Sequence, residues 1–108
     1  MQRRQQQAQQ KLAQRRERAW KVAQLAGELL KTRFGATRVV VFGSLAHEHW
    51  FSSTSDIDLA AWGLKDEDYF LAVARLQDLS PEFEIDLVAM ERCKPSLRTK
   101  ILSEGKPL

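Results

Sequence analysis

Three short apolar segments limit what this chain can fold into. Val39–Phe42 is a run of four apolar, mostly β-branched residues closed by Gly43, too short for an independent helix and suited to a buried strand. "DIDLAAW" (56–62) and "FEIDLVAM" (83–90) read as two further strands. Around them the apolar spacing is helical. Leu12, Ala19, Ala23, Ala26 and Leu30, flanked by Val22, Leu25 and Leu29, recur at three- and four-residue steps, which predicts a long amphipathic N-terminal helix. It should stop near Phe34 and Gly35, with Lys31 and Arg33 in its last turn. A short helix is expected from Ser44 to about Trp50, another over 65–79 with acids in its first turn, and a last one from Pro95 to Gly105. The order α-β-α-β-α-β-α, with no internal repeat and no boundary, predicts one α/β domain over 1–108. The polar, Gln-rich residues within 1–10 are expected to fray.

A chain of 108 residues builds one modest core, burying only about two-thirds of its unfolded surface. A large substrate must then be held partly by another molecule, so a partner is expected. No apolar stretch reaches the roughly 18 residues of a membrane span, and the opening lacks the apolar segment of a secretory signal, which points to the cytoplasm. Cys93, the single cysteine, has no internal disulfide partner and reads as a minor thiol near a turn. The net charge of +3 is split unevenly: residues 1–33 carry nine Lys/Arg against Glu17 and Glu28, and residues 34–108 carry eight against twelve acids. Such a basic segment suits nucleic acid or an acidic partner, although a solvated helix face is the simpler reading.

The strands contain acids where a core strand should not. Asp56 and Asp58 fall on one face, about 6.6 Å apart at Cα, while Ile57 and Leu59 point the other way. Asp86 repeats the pattern between Ile85 and Leu87, and Glu84 shares the face of Asp86, either as an auxiliary ligand or, on the simpler reading, as a solvated strand-edge acid. Neighbouring strands lie about 4.8 Å apart, so the three aspartates can share one sheet face. Their mutual repulsion is relieved by a divalent cation, and Mg²⁺ prefers carboxylate oxygens while keeping waters and bridging to phosphates. Two such ions about 4 Å apart clamp the attacking and leaving oxygens of an in-line phosphoryl or nucleotidyl transfer. Gly43 lets the backbone approach a phosphate. Ser44 offers a cap and a hydroxyl beside free N–H groups, which places a triphosphate near Ser44 and its α-phosphate near the metals.

Competing motifs fall short. An EF-hand is excluded by the apolar residues between the acids and by Ala61 where its glycine belongs. His47 and His49 form no HExxH pattern and have no cysteine nearby. Trp20, Trp50, Phe51 and Trp62 are read as core or interface aromatics, not base-stacking residues.

Gly43-Ser44, the eleven residues between Ser44 and Asp56, "SDIDL" (55–59) and the acid of "EIDLV" (84–88) resemble the nucleotidyltransferase superfamily that includes DNA polymerase beta. Size and pattern look most like its minimal nucleotidyltransferases. The likeness covers about Val39 to Val88, and the closing "ILSEGKPL" resembles that group's last helix and tail. The resemblance implies a small mixed sheet of three strands, or four, flanked by helices. It also implies an antitoxin that transfers AMP from ATP to a tyrosine of a helical HEPN ribonuclease toxin. Carried over, Gly43 and Ser44 bind the triphosphate, Asp56 and Asp58 bind both Mg²⁺ ions, and Asp86 completes the metal site and helps activate the acceptor hydroxyl. The alternative is a non-catalytic module of the same fold that neutralises its partner by contact. One departure stands out: the family commonly follows Gly-Ser with any residue, Ala, Arg and Gly, whereas this chain has Leu45, Ala46, His47 and Glu48. That removes a permanent cation, which a protonated His47 replaces only in part.

Overall fold

The computed structural model describes residues 2–47 and 49–108, with backbone only for residues 2–5. The chain forms α1 (Gln2–Arg33), β1 (Arg38–Phe42), β2 (Ile57–Trp62), α2 (Tyr69–Gln77), β3 (Ile85–Ala89), α3 (Pro95–Glu104) and β4 (Lys106–Pro107). Short 3₁₀ turns occupy Gly43–Ala46, Asp66–Asp68 and Met90–Arg92. The strands form one mixed sheet in the order β3-β2-β1-β4, with β1 antiparallel to β2 and β4, and β2 parallel to β3.

Strand alternation divides the apolar side chains between two layers. Val39, Val41, Ile57, Leu59, Ala61, Ile85 and Leu87 pack with Ala19, Ala23, Ala26 and Leu30 of α1 and with Ala72 and Leu76 of α2. Val40, Phe42 and Ala60 face the other way, toward Ile101 of α3 and toward Met90 of the 3₁₀ turn that follows β3. The alanine spacing of α1 lets its backbone lie close on the sheet, so the predicted amphipathic face is the buried one. The helix ends as expected: Gly35 takes φ 72°, and the Ala36 N–H returns to the Leu30 carbonyl at 3.0 Å. No described helix is long and apolar enough to cross a membrane.

Several expectations are corrected. The helix predicted from Ser44 to Trp50 is a single 3₁₀ turn ending at Ala46, and His47 is extended at φ −111°, ψ 120°. Separate turns, His47 N–H to Ser44 O and Trp50 N–H to His47 O, replace continuous helix in a segment too short to repay nucleation. The segment 65–79 divides into a 3₁₀ turn and α2. β2 starts at Ile57, so Asp56 precedes the strand. β4 was legible only as the allowance for a fourth strand; it is two residues long and places Pro107 on an edge, where its missing N–H costs no ladder bond. α1 runs from Gln2, and the fraying expected within 1–10 falls partly on Met1 and the side chains of 2–5, which lie outside the described residues.

The open edge of β3 is covered by side chains. The Gln77 amide donates to Ile85 O at 2.6 Å and accepts from Ile85 N–H at 3.3 Å, and the Tyr69 hydroxyl donates to Leu87 O at 2.6 Å. These bonds occupy groups that would otherwise recruit a foreign strand. Gln77→Leu keeps the volume and removes both amide bonds. We expect it to lower unfolding free energy by about 1–3 kcal/mol in urea titrations, the usual cost of stranding buried polar groups.

Candidate active site

The site is built by the sheet register. In the parallel β2/β3 ladder Asp58 is the direct partner of Asp86, and in the antiparallel β1/β2 ladder Phe42, which precedes Gly43, is the partner of Asp58. Two carboxylates therefore stand side by side on the face that α3 covers, next to the end of β1. Asp56 stands just before β2, half-buried, with its Oδ1 3.4 Å from the Glu84 N–H.

Gly43 has φ 71°, and a Cβ built on it would lie 2.3 Å from Asp58 Oδ2. The turn thus runs directly against the acid, and only glycine leaves room for both. Ser44 is the next residue, inside the turn and half-buried. Its expected capping role is corrected: a lone 3₁₀ turn follows Gly43 in place of a longer helix, and no side-chain cap bond opens it.

Asp58 carries the electrostatic cost of the arrangement. Burial pushes its pKa above the ordinary carboxylate value, repulsion from Asp86 and then Asp56 pushes it further, and Lys100 of α3 pulls it partly back. Lys100 is a participant that sequence reading missed. Its placement depends on how α3 packs across the sheet, and nothing in its local sequence marks it.

The donor set suits a hard cation. Three acids crowd one another with Lys100 as the cation that acts on Asp58, and a divalent ion on carboxylate oxygens removes that conflict. Among the described residues no three His, Cys, Asp or Glu side chains form a ready-made metal cage. An adjacent Asp58–Asp86 pair with Asp56 at its margin is the open kind of site in which Mg²⁺ retains waters and takes further oxygens from a phosphate.

His47, where the family pattern has arginine, is turned elsewhere. Its Nε2 is 3.4 Å from Glu104 Oε2 at the end of α3, without hydrogen-bond geometry, and its ring lies on Trp50 with centroids 4.0 Å apart. Glu48 lies outside the described residues. Trp20 and Trp62 pack against the core, Phe51 is buried, and Trp50 is 60% exposed. A groove of about 650 Å³ lies beside β3, lined by Tyr69, Phe70, Leu87, Val88 and Leu97 among others. None of the three aspartates lines it, so the acids and not the cavity define the candidate site.

A strand-end glycine turn is thus packed on paired carboxylates in a mixed α/β sheet. Residues 26–108 match the family described as Polymerase beta, Nucleotidyltransferase, and the chain belongs to that family. Among solved structures it is similar to a minimal nucleotidyltransferase, with 29% identity over 92% of this chain and 94% of that one, at a TM-score of 0.55. It is also similar to a toxin–antitoxin structure with AMP-PNP (21% identity, 74% of this chain, TM-score 0.62), of which it spans only 66%. A third is the complex of tri-AMPylated Shewanella oneidensis HEPN toxin with MNT antitoxin, at 18% identity over 79% of this chain and 70% of that one, TM-score 0.55. The last two likenesses speak for fold alone. No match was found among curated protein sequences.

Two outcomes test the geometry. Gly43→Ala places a Cβ against Asp58 in left-handed backbone, and the backbone cost alone should destabilise the chain by about 1–2 kcal/mol in urea titrations. The second concerns pH. The folded chain holds the Asp58 proton more tightly than the unfolded chain, so the penalty for ionising it, from burial first and repulsion second, is absent below the ordinary value of 3.8. It grows as pH rises through the raised folded value and is complete above it. In chelator, Asp58→Asn should therefore melt higher than wild type at neutral pH, and the gap should shrink on acidification. A gap that does not change with pH would place the stabilisation elsewhere.

Proposed function

We propose that this chain is a Mg²⁺-dependent nucleotidyltransferase of the minimal type, which transfers AMP from ATP to a hydroxyl on a helical HEPN-type toxin and so acts as its antitoxin. The observation that carries this reading is the Asp58–Asp86 register pair with Gly43 packed against it. The donor and partner are argued from the similar structures, which include one with AMP-PNP and one with an AMPylated HEPN toxin.

In this reading Asp56, Asp58 and Asp86 hold the metal, with two ions the expected complement, while Gly43 and Ser44 receive the triphosphate. Mg²⁺ bound there supplies charge neutralisation for the phosphoryl group in flight. The acceptor oxygen forms a bond to the α-phosphorus, the bond to the β-phosphate oxygen breaks, and pyrophosphate leaves. Asp86, the most exposed of the three acids, takes the acceptor proton.

His47 favours a second reading, a module that neutralises its partner by contact alone. A ring committed to Glu104 and Trp50 does not replace an arginine at the phosphate. Incubation of the chain with Mg²⁺, labelled ATP and the product of a neighbouring gene separates the two. Transfer should be seen with wild type and should fall by a factor on the order of 10²–10³ or more in the Asp56→Ala, Asp58→Ala double variant, with partner binding retained. Undiminished neutralisation of the partner by that variant, with no label transferred by either protein, would falsify the enzyme reading.

A further inference from the structure

Asp56 is held unlike the other two acids. Asp58 and Asp86 sit inside paired strands, whereas Asp56 precedes β2: its Oδ1 accepts from the Glu84 N–H at 3.4 Å, and its backbone continues directly from the polar loop 52–55. That loop is organised internally: Ser52 N–H donates to Ser55 Oγ at 2.9 Å, and Ser55 N–H to Ser52 O at 3.2 Å. Internal bonds fix its shape but not its place on the body.

Among the described residues, the hydrogen bonds that tie this loop to another element come from Arg15 of α1. Its Nε donates to Ser53 O and its Nη2 to Ser55 O, each at 3.1 Å. The guanidinium is held in turn by two buried aromatics, lying 4.4 Å from the Phe83 ring centroid and 5.5 Å from that of Phe51. A planar fork seated between rings donates in two fixed directions, which an ammonium does not reproduce. The next residue acts likewise on the other half of the site: Arg16 Nη2 donates to Leu45 O, in the turn that begins with Gly43 and Ser44, at 3.2 Å.

We propose that Arg15 is a positioning residue of the active site, locking the loop 52–55 to α1 and thereby setting the Asp56 carboxylate beside Asp58. Arg15 lies on α1, outside the family-matched residues 26–108. Its catalytic consequence rests on the metal-dependent function proposed above; the mechanical one does not.

The test compares Arg15→Ala and Arg15→Lys with Arg18→Ala. Arg18 also ties α1 to the body, through Glu82 at 2.9 and 2.7 Å, but makes no hydrogen bond to the loop 52–55 among the described residues. Two quantities are read: amide hydrogen exchange of residues 52–57 in metal-free protein, and Mn²⁺ affinity by electron paramagnetic resonance. Arg15→Ala should accelerate exchange in that segment and weaken Mn²⁺ binding by about tenfold or more, the scale on which groups supporting a metal ligand act. Arg15→Lys should recover part of both, and it carries the test if the alanine variant does not fold. Arg18→Ala should lower thermal stability and leave both readouts at wild-type values. The proposal is overturned if Arg15→Ala matches Arg18→Ala in loop exchange and Mn²⁺ affinity. Should wild type bind no Mn²⁺, the proposed function fails, and the exchange comparison alone decides the lock. Should Arg15→Ala release the loop and weaken Mn²⁺ while wild type transfers no nucleotide, the lock stands and the transfer reading falls.

Discussion

The repulsion between Asp58 and Asp86 is imposed by the hydrophobic core. Side chains alternate along a strand, so placing Ile57 and Leu59 under α1 and α2 turns Asp58 to the opposite face, and placing Ile85 and Leu87 there does the same for Asp86. A one-residue slip of either strand would drive a carboxylate into the apolar layer and expose the branched residues. The fold cannot relax the acids apart without losing that layer. Burying a single large aliphatic side chain contributes about 1.5–3 kcal/mol, and the layer holds several, so packing wins over a partly screened carboxylate clash. What remains is a pair of crowded carboxylates, which under the proposed function attracts a divalent cation, built from the same register that makes the sheet.

The other half of the site depends on a missing atom. β1 delivers Gly43 against Asp58 at a distance that excludes any Cβ, so the glycine turn and the acid are in direct contact. The structure supplies α1 as a third support, through Arg15 and Arg16. This changes the meaning of the uneven charge. Of the nine cations in residues 1–33, Arg15, Arg16, Arg18 and Lys31 all donate to groups of the body, the last to the Leu108 carbonyl. A segment that looks like a free basic arm is partly committed to holding its own domain together.

How much was legible follows from whether a feature is local. The three main strands and the buried face of α1 were readable because period-two and period-3.6 patterns are written within a few residues, and the acids were noticeable because they break those patterns. The 3₁₀ turn after Gly43 was not readable: "SLAHEHW" has ordinary helical composition, and what stops it is a turn packed on β2 and a histidine drawn to α3. β4 lacked a signal because two residues ending in proline do not form a pattern. Arg15, Arg16 and Lys100 were invisible for a different reason. On a helix surface, a cation that grips a distant carbonyl or faces a distant acid has the same spelling as one that points into water.

The arginine replaced by His47 bears on how charge is distributed in such a site. On the acid side, compensation comes from Lys100, a residue of α3 and not of the glycine turn. At the glycine turn, which receives the triphosphate under the proposed function, His47 leans toward Glu104 and leaves neutral groups such as the Ser44 hydroxyl as the local donors. Neutral donors hold a triphosphate more weakly than a guanidinium, because bonds between charged groups are roughly twice as strong. Under the proposed function, nucleotide affinity in this chain then leans on the cation that the three acids gather. The placement of Asp56 matters more here than it would beside an arginine, which is why a lock reaching that loop from α1 has a physical role to fill.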